Sequence, residues 1–282
     1  MSRLFDLLRL HNLYPSKALG QVFLEDLLVM DSIVSILSPG PSDQLIEIGA
    51  GPGLITQKLA SLAASLVAIE IDPKFRPLHE ELFADLDRPP QMLYQDARKV
   101  NYQDLVRPCQ GRLLVFGNLP YNLTTDLILT ALAGLPQMSQ ALFMVQEDVR
   151  DRLTARPGSK AYGTLTVASN LFGNWRFERT VSRKAFYPQP RVTSALLSLL
   201  PSPKESDRAL AADRQFHRFL TGLMQYRRKS LANALKESGV WPGDETGRPL
   251  LDSFLKENDL PPGLRAEGLT PGQLARLYRL MT

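Results

Sequence analysis

The sequence has few of the features that mark an extracellular, metal-binding or membrane protein. It has one cysteine, Cys109, and three scattered histidines, His11, His79 and His217, so it forms no internal disulfide and has no zinc-ligand spacing. No run approaches the roughly 20 apolar residues of a membrane span, and the first residues lack the pattern of a signal peptide. We therefore expect a monomer in the reducing cytoplasm, with no membrane partner.

Other absences narrow the possible chemistry. The chain has no internal repeat, no low-complexity tract and no Ser/His/Asp set that resembles a hydrolase triad. Pro108-Cys109 suggests the nucleophile of a cytosine-carbon methyltransferase, but it lies in a polar loop before a strand instead of after it. With 44% hydrophobic residues, the 282-residue chain can bury the core of one large domain or two modest ones.

Positive charge is unevenly distributed, although the formal net charge is only +4. Residues 1–149 contain 11 Lys/Arg and 17 Asp/Glu, a net charge of −6; residues 150–191 contain 9 and 2, a net charge of +7; residues 192–282 contain 13 and 10, a net charge of +3. Aromatic residues interleave with the basic ones in the middle segment: Tyr162, Phe172, Trp175, Phe177, Phe186 and Tyr187. Such a surface can follow a phosphate backbone and stack bases, although an ordinary solvated face explains the charge equally well.

The candidate RNA contacts come from this basic segment and from a second cluster near the C-terminus. They are Arg156, Lys160, Arg183, Lys184, Arg191, Arg227, Arg228 and Lys229. Structured RNA is recognised by its shape and phosphates over a wide surface, which two basic regions can supply. We expect both regions to face an extended RNA partner.

Alternating apolar runs predict an α/β domain followed by helices. Predicted strands cover residues 44–48, 66–71, 92–95, 113–117, 140–146, 177–181 and 195–200, and predicted helices before residue 200 cover 27–37, 54–62, 124–135 and 147–155. A proline-punctuated linker is predicted at 201–207, then helices at 213–224, 229–238, 248–257 and 270–280. The predicted domains are 1–203 and 204–282, with a segment of about 1–40 that covers the ligand cleft as a lid or caps the fold.

Glycines and carboxylates follow successive predicted strands. Gly49-Ala50-Gly51-Pro52-Gly53 comes after the first sheet strand, and glycines let backbone N–H groups approach a ligand. Glu70 ends the next strand, where a carboxylate can accept ribose hydroxyls, and Asp96 follows the third, where it can accept from an adenine amine. Glu47 and Asp72 are rival carboxylates. Because position 54 is not glycine, the pattern favours S-adenosylmethionine over a dinucleotide.

The tetrapeptide Asn118-Leu119-Pro120-Tyr121 follows the strand 113–117, and the remaining site residues are arranged around it. The Asn118 side chain and the backbone near Leu119 and Pro120 offer acceptors, and Tyr121 offers a flat π-face. The exocyclic amine of adenine is a poor nucleophile because its lone pair is delocalised into the ring. Two acceptors on its N–H bonds would favour a localised lone pair in the transition state, while Tyr121 stacks on the flipped base. The alternative is an ordinary turn after a strand.

Six motifs occur in the order LGQVFL (19–24), EIGAGPG (47–53), NLPY (118–121), SKAYG (159–163), AFYP (185–188) and RRKSL (227–231). Together they resemble the KsgA/Dim1 family of ribosomal RNA adenine dimethyltransferases, over about residues 17–280. The resemblance implies an α/β Rossmann-like, S-adenosylmethionine-dependent methyltransferase domain with a small all-helical C-terminal domain. It further implies dimethylation of the N6 amines of two adjacent adenosines near the 3′ end of small-subunit rRNA, and a role in maturation of the assembling small ribosomal subunit.

The resemblance also implies the roles of individual residues. The S-adenosylmethionine site would be lined by Gln21, Val22, Leu24, Gly49, Glu70, Asp96 and Asn118. The adenine would be held by Asn118, Pro120, Tyr121 and Phe186. The family usually has Asn where this chain has Val22, so a backbone contact at this position would be kept and a side-chain hydrogen bond lost.

Three alternatives to this function remain open at the level of sequence. Large-subunit rRNA methylases of the antibiotic-resistance type share the catalytic arrangement, but the loop at Tyr162-Gly163 and the long C-terminal region favour the small-subunit enzymes. DNA adenine and protein glutamine methyltransferases usually have two prolines in the tetrapeptide, where this chain has Leu119-Pro120. A ribosome-assembly or transcription factor that binds RNA without methylating it would not need Asn118 and Glu70.

Overall fold

The computed structural model divides the chain into two compact units. It describes residues 3–202, 204–239 and 244–282. The first unit consists of Met1–Arg150 and Trp175–Pro201, and the second consists of Asp151–Asn174 and Ser202–Thr282. The predicted boundary falls at Pro203, which lies outside the described residues. Asp151–Asn174, which the sequence assigned to the first domain, belongs to the second unit because it includes a helix that packs on C-terminal helices.

Nine strands and twelve α-helices are found in the described residues. The strands are β1 Phe23–Leu24, β2 Gln44–Ile48, β3 Ser65–Glu70, β4 Gln91–Tyr94, β5 Leu113–Asn118, β6 Gln140–Gln146, β7 Gly173–Val181, β8 Phe186–Tyr187 and β9 Ser194–Pro201. The helices are α1 Arg3–Leu10, α2 Leu27–Leu37, α3 Leu54–Ala60, α4 Arg76–Phe83, α5 Thr124–Gly134, α6 Glu147–Leu153, α7 Thr164–Phe172, α8 Glu205–Ala212, α9 Arg214–Gln225, α10 Leu231–Glu237, α11 Asp244–Glu257 and α12 Pro271–Met281. None of the helices described is both long and apolar enough to cross a membrane.

Seven strands of the first unit form one sheet in the order β4-β3-β2-β5-β6-β9-β7. The strands from β2 to β6 pair in parallel, and β9 runs antiparallel to β6. β2 and β5 are almost wholly buried, as expected for central strands that are covered on both faces, although β2 includes the polar residues Gln44 and Glu47. Six of the seven predicted strands agree with the structure to within one residue at each end, whereas β7 begins four residues earlier than predicted.

The sheet creates a ligand crevice between β2 and β5. Chain order reverses there, since β3 and β4 lie on one side of β2 and β5 and β6 lie on the other. Open parallel sheets bind ligands at such a reversal, outside the carboxyl ends of the strands. The register places Ile48 beside Ile69 and Gly117. The glycine loop, Glu70 and Asn118 therefore emerge at the same edge.

The N-terminal segment contributes to the wall of this crevice. α1, which was not predicted, buries Leu4 and Leu8 against Phe75 and Leu78. β1 pairs antiparallel with β8 in a separate two-stranded sheet. α2 matches its prediction and is capped by Asp26, whose side chain accepts from two backbone N–H groups of the first turn. Residues 19–24 of the segment line the ligand cleft, and whether the segment acts as a lid or as a cap stays a prediction.

The described part of the second unit is mainly helical. α7 packs against α8, α9 and α12, and the Tyr162 hydroxyl donates to the Leu269 carbonyl at 2.6 Å. α9 to α12 correspond to the four predicted C-terminal helices. α7 and α8 were not predicted. β9 ends at Pro201 and α8 begins at Glu205, so the described part of the linker predicted at 201–207 is shorter than expected.

Candidate active site

A single cleft in the first unit brings together most of the predicted site residues. Its walls come from the N-terminal segment, the glycine loop and the ends of β3, β4 and β5. The predicted residues that line it are Gln21, Val22, Leu24, Gly49, Gly51, Glu70, Asp96, Asn118, Leu119, Pro120 and Tyr121. Phe186 and the rival carboxylates Glu47 and Asp72 are not among the lining residues.

The glycine loop has a left-handed backbone that only glycine adopts at low cost. Gly49 has φ 81°, and a Cβ atom there would lie 3.2 Å from the Asn118 carbonyl oxygen. Gly51 has φ 55°, and its Cβ atom would lie 3.1 Å from the Phe23 ring. A side chain at either position would therefore crowd a wall of the cleft as well as strain the backbone.

Glu70 is held at the end of β3 by backbone hydrogen bonds. Its Oε2 accepts from the Gly51 N–H at 2.8 Å, and its Oε1 accepts from the Asp72 N–H at 2.9 Å. Burial raises the pKa of the carboxyl group, and these two N–H donors oppose the rise. Each carboxylate oxygen keeps further lone-pair capacity, so Glu70 can still accept from a ligand in the cleft.

Asp96 begins the turn that follows β4, and its carboxylate is already engaged. Arg98 donates from Nε to Oδ1 at 3.1 Å and from Nη2 to Oδ2 at 2.7 Å. Hydrogen bonds and charge from this guanidinium lower the pKa of Asp96 although burial opposes them. A ligand amine at Asp96 would therefore meet a carboxylate that is charged and fixed in direction.

The side-chain amide of Asn118 is oriented by the N-terminal segment. Its Nδ2 donates to the Val22 carbonyl at 3.2 Å. Because a carbonyl only accepts, this contact assigns the nitrogen to the Val22 side and turns Oδ1 the other way. No described residue donates to Oδ1. The Val22 side chain packs against the core, so position 22 acts through its backbone in this chain.

The backbone of the tetrapeptide offers one free carbonyl and one that is occupied. The Pro120 carbonyl accepts from the Leu123 N–H at 3.1 Å and from the Thr124 hydroxyl at 3.0 Å. No described residue donates to the Leu119 carbonyl. The Tyr121 hydroxyl lies 3.1 Å from the Ser194 hydroxyl, which fixes the position of the tyrosine ring. Leu119 is therefore the better candidate for the backbone acceptor.

Gln21 lines the cleft but its amide has protein partners, whereas Phe186 is not a lining residue. The Gln21 amide accepts from the Ser16 N–H at 2.8 Å and reaches Asp72 at 3.5 Å, so both of its ends have protein partners. Phe186 is 3% exposed and lies in the hydrophobic core, where β8 pairs with β1. The expectation that Phe186 presents a free face does not hold in this arrangement, and its role in holding adenine stays a prediction.

The predicted basic and aromatic surface is only partly present. Tyr162 and Phe172, at 1% and 2% exposure, are buried in the second unit and cannot stack on bases in this arrangement. In the first unit, Arg183, Lys184 and Arg191 are exposed.

Five of the basic candidates lie in the second unit. Among the described residues, the side chains of three of them have no ion-pair partner, whereas the other two are paired with glutamates. Arg156, Lys160 and Arg228 are exposed. Lys229 is also exposed but pairs with Glu237 at 2.6 Å. These positions are compatible with phosphate contacts, and their role in RNA binding stays a prediction.

Arg227 differs from its neighbours because it holds the second unit together. Its Nε donates to Glu267 at 2.6 Å, and its other two nitrogens donate to the Lys160 and Ser159 carbonyls at 3.0 and 3.1 Å. A half-buried guanidinium with three partners supports the loop that contains Ser159 and Lys160. We therefore interpret Arg227 as mainly structural, unlike the exposed Arg228.

Sequence reasoning missed one residue that contacts the glycine loop. His79 is buried, and its Nε2 lies 2.7 Å from the Gly51 carbonyl oxygen. The sequence provides no reason to assign a role to His79, because it is one of three scattered histidines and belongs to no motif. A periodic pattern on α4 places Leu78, His79 and Phe83 on the buried side, and this was the available signal.

Comparison with known protein families agrees with the geometry of the site. The family model described as Ribosomal RNA adenine dimethylase matches residues 15–247, which is most of the chain. This chain belongs to the ribosomal RNA adenine dimethylase family. The predicted family is thus confirmed, and the protein is a methyltransferase of the rRNA adenine dimethylase class.

Relatives and solved structures support the same family over most of the chain. A protein of Geobacter metallireducens named Ribosomal RNA small subunit methyltransferase A is 36% identical over 267 residues, 94% of this chain and 94% of its own. The protein of the same name from Deinococcus radiodurans is 35% identical over 94% of this chain and 85% of its own. A dimethyladenosine transferase from Plasmodium falciparum has a TM-score of 0.74 at 24% identity, covering 90% of this chain and 95% of that one. The 23S rRNA methyltransferase ErmE has a TM-score of 0.64 at 21% identity, covering 92% and 99%. The two structures confirm the Rossmann-like methyltransferase fold with a helical C-terminal region.

Proposed function

We propose that this protein uses S-adenosylmethionine to dimethylate the N6 amines of two adjacent adenosines near the 3′ end of small-subunit rRNA. The observation that carries the proposal is the fixed orientation of Asn118. Its Nδ2 is bound to the Val22 carbonyl, which leaves Oδ1 as an acceptor at a cleft-lining position. An adenine amine needs such an acceptor in order to become nucleophilic.

The residues of the cleft suit S-adenosylmethionine. Glu70 can accept the ribose hydroxyls with lone pairs that its two backbone donors do not use. The glycine loop is too close to its neighbours to carry side chains, so its backbone forms the wall itself. Asp96 can accept from an adenine amine while its carboxylate remains in an ion pair with Arg98. When bound, the cofactor would supply a methyl group on a positively charged sulfur.

The tetrapeptide would act on the target base. Asn118 Oδ1 and the Leu119 carbonyl would accept the two N–H bonds of the amine and favour the state in which its lone pair is localised on nitrogen. Tyr121, fixed by Ser194, would present a ring for the flipped base to stack on. Neither acceptor changes its protonation state, so the chain would contribute orientation and electrostatic stabilisation rather than a general base.

The small ribosomal subunit is the proposed partner. The curated relatives that match over most of this chain are named as small-subunit enzymes, which favours that substrate over the large-subunit alternative. Exposed basic residues of both units would contact rRNA phosphates. They are Arg183 and Lys184 in the first unit and Arg156, Lys160 and Arg228 in the second. We propose that the protein acts on the assembling subunit as a cytoplasmic monomer.

The experiment that tests the proposal is methylation of ribosomal particles from a strain that lacks the modification. Purified protein, S-adenosylmethionine and small-subunit particles should produce stops in primer extension at two adjacent adenosines near the 3′ end, because dimethyladenine blocks the base-pairing edge. Large-subunit particles and naked small-subunit rRNA are the controls and should remain poorly modified. Binding without methyl transfer would support the non-catalytic alternative, and stops in the large subunit would support the resistance-type alternative.

A further inference from the structure

The buried histidine of α4 contacts the cofactor loop through one ring nitrogen and a tyrosine through the other. His79 is 1% exposed; its Nε2 lies 2.7 Å from the Gly51 carbonyl oxygen, and its Nδ1 lies 2.9 Å from the Tyr94 hydroxyl. His79 and Tyr94 do not belong to the motifs from which the site was predicted. The two contacts nevertheless connect the wall of the cleft to the end of β4.

The chemistry of the two contacts specifies one form of the ring. A carbonyl oxygen only accepts, so Nε2 must carry a proton and donate it to Gly51. If the ring is neutral, Nδ1 then has a lone pair, and the Tyr94 hydroxyl donates to it. The other neutral tautomer would place a lone pair against the Gly51 carbonyl. The Gly51 carbonyl therefore selects the Nε2–H tautomer, and the Tyr94 hydroxyl stabilises it by donating to Nδ1.

The ring is also held in place by its neighbours. Phe75, Phe83 and Tyr94 lie with their planes within 23° of the His79 plane, at centroid distances of 6.0, 5.4 and 5.9 Å. Burial lowers the pKa of His79, although the hydrogen bond to Gly51 opposes this shift. The apolar surroundings and the lowered pKa both favour a neutral ring at neutral pH.

Gly51 is consequently fixed on both sides. Its N–H donates to Glu70 Oε2 at 2.8 Å, and its carbonyl accepts from His79 at 2.7 Å. The residue itself has φ 55°, a left-handed conformation that an unsupported loop would not hold in one state. The orientation of the loop and of the Glu70 carboxylate therefore depend on each other.

We propose that His79 is a positioning residue for the cofactor site, which holds Gly51 and, through it, Glu70 in the orientation that binds S-adenosylmethionine. This role rests on the proposed function, since it concerns the ligand of that cleft. His79 does not line the cleft and would not touch the ligand. Its contribution should appear in cofactor affinity rather than in the rate at saturating cofactor.

Calorimetric titration of S-adenosylmethionine into matched variants tests this role. His79→Phe keeps a flat ring but removes both hydrogen bonds, and it should weaken cofactor binding roughly tenfold, the effect expected when a buried carbonyl loses its donor. His79→Gln can place an amide N–H near the position of Nε2 and should restore affinity to within about threefold of wild type. The turnover at saturating cofactor should be similar in all three proteins.

The controls use residues with similar chemistry outside the cleft. His217 also makes a contact from Nε2 to a backbone carbonyl, that of Ala211 at 2.6 Å, so His217→Phe should leave cofactor affinity unchanged. Tyr94→Phe is a test variant and not a control: it removes the hydroxyl that stabilises the Nε2–H tautomer by donating to Nδ1, and it should weaken binding. Tyr102→Phe removes a buried hydroxyl that has no described partner and should not weaken it.

Nitrogen-15 NMR of the ligand-free protein provides a readout that is independent of activity. The wild-type His79 ring should be the neutral Nε2–H tautomer, and Tyr94→Phe should shift it toward a mixture. Three results would overturn the proposal. The first is wild-type affinity in His79→Phe, and the second is a loss of affinity in His79→Gln as large as in His79→Phe. The third is an Nδ1–H tautomer in the wild-type protein. If His79→Phe does not fold, the Tyr94→Phe titration and spectrum decide. Failure of the wild-type protein to bind S-adenosylmethionine would instead contradict the proposed function.

Discussion

Glu47 provides a sharp test of the electrostatics beside the glycine loop. It lies in β2 with no exposed surface, and neither carboxylate oxygen has a hydrogen-bond partner among the described residues. Burial raises the pKa of Glu47 to about 7. The nearby Thr56 hydroxyl opposes the rise, and the charge of Glu70 adds to it. Two backbone N–H groups donate to Glu70 and none to Glu47, so burial favours the protonated form of Glu47 with less opposition.

The raised pKa makes the free energy of unfolding depend on pH. Below the unfolded-state pKa of 4.5, Glu47 is protonated in both states; between 4.5 and about 7, the unfolded chain releases a proton that the folded protein retains. Stability should therefore fall as pH rises through this window. The difference between 4.5 and about 7 corresponds to a loss of about 3 kcal/mol by pH 8.

Urea unfolding at pH 5, 6, 7 and 8 measures this loss. Glu47→Gln and Glu47→Met cannot ionise, so each should remove about 2–3 kcal/mol of the decline between pH 5 and pH 8, whatever its stability at pH 5. Asp43→Asn is the control. Although burial opposes it, Arg112 lowers the pKa of Asp43, so this carboxyl group is ionised throughout the range and its replacement should leave the decline unchanged. Parallel profiles for wild type and both Glu47 variants would refute the reasoning.

Three further predictions concern the site and the basic surface. Glu70→Ala should weaken S-adenosylmethionine binding at least tenfold, about 1.4 kcal/mol, in calorimetry. Glu70→Gln should weaken binding less, because its one side-chain oxygen can still accept from a backbone N–H. An unchanged dissociation constant for both variants would show that the ribose does not bind at Glu70. Arg228→Ala should reduce the slope of log K against log salt for particle binding by about 1. Arg227→Ala should instead lower the free energy of unfolding by about 1–2 kcal/mol, because Glu267 loses its partner. The opposite assignment of the two effects would contradict the structural role of Arg227. Tyr121→Phe should retain most methyl transfer and Tyr121→Leu should lose most of it, because the ring rather than the hydroxyl is proposed to stack on the base; equal losses would argue against stacking.

The sheet and the cleft could be predicted because their signals are local. The parallel strands are mainly apolar segments followed by a polar or glycine residue at or just after the carboxyl end, and those ends meet at one edge. Glu70 and Asn118 were found from this rule alone. Glu70 was preferred to Glu47 because it ends its strand, and in the structure Glu70 lines the cleft whereas Glu47 does not.

The missed features depend on contacts between distant parts of the chain. α7 is buried along most of its length, so it lacks the amphipathic period by which helices are recognised. α8 begins among the charged and serine residues that also mark linkers. Phe186 is buried because β8 pairs with β1, a two-residue contact with no sequence signal. His79 and Arg227 have their roles through partners 28 and 40 residues away.

The orientation of Asn118 is tested most directly by separating binding from chemistry. Asn118→Ala should keep its fold and its affinity for small-subunit particles in filter binding, because phosphate contacts supply most of that affinity. Asn101→Ala, at an exposed asparagine outside the cleft, is the matched control and should behave as wild type. Tritiated methyl incorporation into particles from a strain lacking the modification should fall by roughly 10² to 10³ in Asn118→Ala. Full incorporation by Asn118→Ala, at unchanged particle affinity, would contradict the proposed role of Asn118.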